Sequence, residues 1–101
     1  MPIRSNISSD GKQLVIRVNG RFDFNMAQAF KEVFEKQKIA PKAYVVDLEN
    51  SDYLDSAALE MLLALREHAG GDNANISIIN CPAELKKILI TTKLSELITV
   101  K

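Results

Sequence analysis

The stretch AYVVDLENSDYLDSAALEMLLALREHAGG, residues 43–71, decides the fold. Its first six residues are β-branched and apolar on both faces, so they read as a central strand covered on both sides, as in parallel sheets. A polar loop, ENSDY, follows over residues 49–53. Residues 56–71 then read as a helix that a Gly-Gly pair stops. Glu60, Ala64 and Glu67 mark a narrow solvent face on that helix, and nearly everything else on it is apolar.

Working outward, QLVIRVNG (13–20) puts Leu14, Ile16 and Val18 on one face and Gln13, Arg17 and Asn19 on the other, with Val15 as the exception. That alternation predicts a half-buried strand. Asp10-Gly11 before it is a hairpin turn signal, with IRSNIS (3–8) as the antiparallel partner. NMAQAFKEVFEKQK (25–38) places Met26, Phe30, Val33 and Phe34 on one helical face. Asn25 and Gln28 resemble a capping box, and Pro41 closes the segment. Downstream, NISIIN (75–80) reads as a strand. Pro82 is placed as the first residue of a third helix, with Leu85, Ile88 and Leu89 facing inward, and LITV (97–100) as a short last strand. The order β-β-α-β-α-β-α-β implies an α/β fold: a mixed, mainly parallel sheet of four to five strands, right-handed crossovers and three packed helices. The 101 residues fit a single domain, 1–101, with no linker, repeat or low-complexity tract.

Thirteen basic residues balance thirteen acidic ones, so no global field draws nucleic acid or an anionic membrane. A partner must be recognised by a local surface. One cysteine, Cys81, allows no intramolecular disulfide, which suits a reducing, cytoplasmic setting. The N-terminal residues are polar and lack the apolar core of a signal peptide. Apolar runs such as AYVV and MLLAL are far short of the ~20 residues that span a bilayer.

The candidates for chemistry are few. His68 is the single histidine and sits near a helix end, where a cation or donor suits the dipole. Cys81 reads as a small buried residue at a strand end. No Cys/His cluster offers a zinc site. Asp47, Glu49, Asp52 and Asp55 are dense, but an EF-hand starting at Asp47 fails, with Asp52 where Gly belongs and Ala58 where Glu belongs. Both a solvated acidic loop and a magnesium site at a strand end stay open. Neither a Gly-rich phosphate loop nor a G-x-S-x-G elbow occurs. We expect no catalytic residue, metal or cofactor, and no enzyme. Ser56 has two readings. With Asp55 it can cap the helix. It also follows the carboxyl end of a central strand, where ligands and partners meet α/β sheets. A hydroxyl there, beside Ala57, Ala58 and Met61, can be offered to another protein, and a phosphate on it adds about −1.5 to −2 charges.

Residues 44–71 resemble the core of STAS domains of the anti-sigma factor antagonist (anti-anti-sigma factor) type. The shared marks are an apolar strand ending in Asp47-Leu48, then Asp55-Ser56, the small residues Ala57-Ala58, and a helix with Leu59, Leu62 and Leu63. A second mark, Gly-x-x-Asp after the second strand, is GRFD, from Gly20 to Asp23. The resemblance covers nearly the whole chain. It implies a bacterial phosphoprotein that works by partner switching in signal transduction and transcription regulation. In such proteins the unphosphorylated form binds a serine kinase, often the anti-sigma factor itself. Phosphorylation breaks that complex and a serine phosphatase restores it. By position, Ser56 is the implied phosphoacceptor, and Asp23, Asp55, Ser56, Ala57 and Ala58 form the implied partner surface. Two departures stand out: the family often has Ser-Gly or Thr-Gly where this chain has Ala57-Ala58, and many members continue into another helix beyond the last strand. The competing readings are a non-switching STAS subunit of a transporter or lipid-transport complex and, more remotely, a metal-dependent enzyme using the acidic loop.

Overall fold

The structure is a computed structural model that describes residues 2–101. Its main sheet has five strands in the order β1-β2-β4-β6-β7. They are β1 (Ile3–Ile7), β2 (Gln13–Val18), β4 (Ala43–Asp47), β6 (Ile76–Ile79) and β7 (Thr99–Val100). β1 and β2 form an antiparallel hairpin, and every later neighbour is parallel. The hairpin turns at Asp10-Gly11: Gly11 takes φ +74 and its N–H donates to the Ser8 carbonyl at 2.9 Å. Two further strands, β3 (Gly20–Phe22) and β5 (Ser51–Leu54), pair parallel in a separate small sheet.

The helices are α1 (Ala27–Glu35), α2 (Ser56–His68) and α3 (Ala83–Thr91). The crossovers β2-α1-β4, β4-α2-β6 and β6-α3-β7 all step across the sheet in one direction. Right-handed connections therefore lay all three helices on the same face. The register agrees. Leu14, Tyr44 and Ile76 stand in one row and Ile16, Val46 and Ile78 in the next, and all six are buried. Phe22, Phe30, Leu62, Leu65 and Leu89 fill the space above them. The other face carries the row Val15, Val45 and Ser77 and the row Arg17, Asp47 and Ile79. Val15, Val45 and Ile79 are only half-buried and stand apart from the core. β4 is central, as its sequence predicts, but helices cover one face of it rather than both.

Other expectations also shift. Residues 51–54 are not a loop, because ENSDY runs into β5. α1 is preceded by a 3-10 turn over Phe24–Met26, and Asp23, not Asn25, supplies the side-chain cap. Gln28 donates to Glu32 instead of reaching back, so no capping box forms. Pro82 stands just before α3 and opens it through its carbonyl, which accepts the Lys86 N–H at 2.9 Å. The last strand is Thr99–Val100, and Leu97 ends a 3-10 turn. The Gly-Gly stop after α2 holds: Gly70 and Gly71 both take positive φ, +121 and +62.

Candidate functional site

The small sheet builds the site. The Gly20 N–H donates to the Asn50 carbonyl at 2.9 Å, and the buried Ser51 hydroxyl donates to the Val18 carbonyl at 2.7 Å. These bonds hold β3 and β5 side by side. Phe22 and Leu54 face each other in register and are both buried. Alternation then turns Arg21, Tyr53, Asp23 and Asp55 away from the core.

Asp23 and Asp55 are the next pair beyond Phe22 and Leu54, and both remain extended, at φ −135, ψ −173 and φ −116, ψ −175. Each caps the helical segment that follows. Asp23 Oδ1 accepts the Asn25 N–H at 3.0 Å, and Asp55 Oδ1 accepts the Ala58 N–H at 3.0 Å. Two helical starts therefore lie next to each other, each closed by its own carboxylate. Asp23 and Asp55 thus each follow directly on a paired residue of neighbouring strands, Phe22 and Leu54, although 31 residues of chain separate the two aspartates.

Ser56 is the first residue of α2 and is exposed. The cap bond belongs to Asp55, and the Ser56 hydroxyl has no hydrogen-bond partner among the described residues. The hydroxyl is thus free of the duty that a capping serine would have. Ala57 is half-buried beside it, whereas Ala58 is 0% exposed and packs into the core. Ala58 cannot lend its side chain to a partner surface. The inward position that makes it a good packing residue removes it from solvent.

Three side chains of this region were not singled out by the sequence. Arg21 stacks its guanidinium carbon 3.7 Å from the centre of the Tyr53 ring and places Nε 3.3 Å from Asp23 Oδ2. Phe24, just after the Asp23 cap, is 73% exposed. It stands at one end of an apolar groove of about 350 Å³ between α1 and α2, lined among others by Ala27, Phe30, Ala57, Met61 and Ala64. The available signal was local: Arg21 and Asp23, like Tyr53 and Asp55, alternate with the apolar Phe22 and Leu54. Phe24 falls outside the Met26-Phe30-Phe34 stripe.

The dense carboxylates of residues 47–55 separate in space. Asp47 is buried at the end of β4, where its Oδ1 accepts the Glu49 N–H at 2.9 Å and Asn80 Nδ2 at 3.3 Å, and its Oδ2 lies 3.6 Å from Arg17 Nε. Glu49 and Asp52 point to solvent, and Asp55 is committed to its helix. Among the described residues, no group of three or more His, Cys, Asp and Glu side chains gathers as a metal site. His68 closes the far end of the groove, its ring 4.9 Å from that of Phe34 and 6.4 Å from that of Tyr44. Cys81 is partly buried just beyond β6, and burial raises its thiol pKa. No helix among the described residues is long and apolar enough to cross a membrane.

These features define a class: a two-layer α/β domain that presents an uncommitted serine at a helix start. A family model described as "Mlab, STAS domain" matches residues 5–99. A STAS-domain containing protein of Pseudomonas aeruginosa is 49% identical over 100 residues, covering 99% of both chains. The chain belongs to the STAS domain family. Among solved structures, an anti-sigma factor antagonist from Mycobacterium paratuberculosis shares the fold with a TM-score of 0.72 at 20% identity, over 97% of this chain and 84% of that one. A sulfate transporter family protein from Wolinella succinogenes does so at 0.74 and 17%, over 88% and 77%. At these identities the likeness is one of fold.

Proposed function

We propose that this protein is a phosphorylation-controlled binding module of the anti-sigma factor antagonist type, acting in the cytoplasm. The unmodified form binds a serine kinase that doubles as an anti-sigma factor. Transfer of a phosphoryl group to Ser56 Oγ releases the complex, and a serine phosphatase resets it. The observation that carries this reading is the division of labour at residues 55 and 56. Asp55 holds the helix cap, so selection for stability gives no reason for an exposed hydroxyl next to it. Ser56, Ala57, Asp23 and Asp55 then form the edge of the partner surface, and Phe24 with the groove between α1 and α2 forms its apolar part. Large exposed aromatics at a concave patch are what binding surfaces carry.

A phosphate at Ser56 acts on binding rather than on folding. At the start of α2 the helix dipole favours added negative charge by about 0.3–1 kcal/mol, and Asp23 and Asp55 oppose it by a similar amount. At a partner interface the phosphate must be desolvated against a surface shaped for a hydroxyl, which is strongly unfavourable. The alternative, a non-switching STAS subunit of a transporter or lipid-transport complex, draws on neighbours such as the sulfate transporter proteins. It gives the free Ser56 hydroxyl nothing to do. The test is affinity capture from cells with wild-type, Ser56→Ala and Ser56→Asp protein, read by mass spectrometry, with phosphopeptide mapping of Ser56. Capture of a kinase by the first two forms and not by Ser56→Asp supports the switch. Equal capture of a permease component by all three contradicts it.

A further inference from the structure

We propose that Arg21 is the protein's own counter-ion for a phosphate on Ser56, and that taking this role uncovers the Tyr53 ring. The inference rests on the reading of Ser56 as a phosphoacceptor. Arg21, Tyr53, Asp23 and Asp55 share the outward face of the small sheet, because Arg21 pairs with Tyr53 and the two aspartates follow two residues further along each strand. The Arg21 head already lies forward along its strand, at Asp23, and Asp23 and Asp55, the residue that precedes Ser56, each follow directly on the paired Phe22 and Leu54.

The present grip on Arg21 is partial. Only Nε reaches Asp23, at 3.3 Å, and neither Nη has a hydrogen-bond partner among the described residues. The side chain is 62% exposed. Asp23 has its other oxygen engaged by the Asn25 N–H, so it cannot offer the two-oxygen fork that a guanidinium prefers. A phosphate brings about −1.5 to −2 charges and three acceptor oxygens, and it can take both Nη groups at once. It therefore competes well against one oxygen of a singly charged carboxylate. Arg21 is the one basic residue of the segments that build this face, since none other lies between Arg17 and Lys31 and residues 43–65 contain none, while Lys86 and Lys87 belong to α3, which packs against β5. As Arg21 turns toward Ser56 it leaves the Tyr53 ring, which is 36% exposed even while stacked. The phosphorylated form then differs from the unmodified one in two ways: an added charge that is internally clamped, and a newly bared aromatic beside it.

The experiment uses full-length protein with phosphoserine installed at position 56 during synthesis, so it does not depend on any kinase. The pH titration of the phosphate is followed by phosphorus NMR. Free phosphoserine has a second pKa of about 6. We expect the wild-type phosphate to titrate about half a pH unit or more below that of Arg21→Ala, with Arg21→Lys in between and all three equal in urea. The Arg21 Nε–H resonance should also move on phosphorylation of the wild type, which needs no variant at all. Identical titration of folded wild type and Arg21→Ala, with an unmoved Nε–H, overturns the proposal. That failure is distinct from failure of the switch reading, which phosphopeptide mapping of the protein from cells decides separately.

Discussion

Replacing Asp55 and Ser56 one at a time by alanine separates a cap from a switch. Asp55→Ala removes the carboxylate that accepts the Ala58 N–H at 3.0 Å. Loss of an N-cap costs about 0.5–2 kcal/mol, and a bond to a charged acceptor belongs in the upper part of that range. Two features bring the figure down. The Ala58 N–H also lies 3.1 Å from the Asp55 backbone carbonyl, so it is not left wholly unpaired, and Asp55 itself is only partly buried. We expect a loss of about 1 kcal/mol, which for a domain of this size lowers the melting temperature by about 4–8 °C. Ser56→Ala removes a hydroxyl that bonds to nothing described and puts the best helix former at the first helical position. Its stability should stay within about 0.5 kcal/mol of wild type. Urea unfolding followed by circular dichroism at pH 7, with thermal melts alongside, measures both. If Ser56→Ala loses as much as Asp55→Ala, the serine shares the cap and its freedom for modification is an illusion.

Leu62→Ala should lose about 2–5 kcal/mol in the same unfolding assay, because Leu62 is 0% exposed on the core face of α2; a loss under ~1 kcal/mol means that the helix face is misassigned. Phe24→Ala should leave the melting temperature within about 2 °C, since the ring is 73% exposed, yet weaken capture of the partner at least about tenfold. Burial raises the pKa of Tyr44 above its ordinary 10.0. The folded state therefore holds that proton longer than the unfolded chain does, so this contribution is complete below pH 10 and is lost as pH rises through the folded value. Stability measured from pH 9 to 11 should fall more steeply for wild type than for Tyr44→Phe, and equal slopes refute the assignment.

The main sheet and the three helices were legible because each carries a period: alternation in residues 13–18, a stripe at Met26, Phe30 and Phe34, and an apolar run in residues 56–65. The Asp55-Ser56 step was legible as a boundary between a polar stretch and that run. The small sheet was not, since β3 and β5 have three and four residues and are held by bonds between residues far apart in the chain, such as Ser51 to Val18. Its outward residues are polar, so the segment looks like a loop. The open second face of the sheet was hidden for a related reason. Val15, Val45 and Ile79 are apolar enough to suggest cover, and only the common direction of the crossovers reveals that the helices lie on one side. Ala58 looked like a surface residue because Ala57 is one, and a single step of 100° around α2 separates the two.

On the function proposed above, Ser56 controls binding and not folding. Calorimetric titration of the partner captured by Ser56→Ala protein, against unmodified and Ser56-phosphorylated protein, tests it directly when both forms are also melted. We expect binding weaker by about 2–4 kcal/mol, roughly 30- to 1,000-fold, for the phosphorylated form, with a melting temperature that moves little. Equal affinities together with a sharply lower melting temperature would contradict it and assign Ser56 to stability.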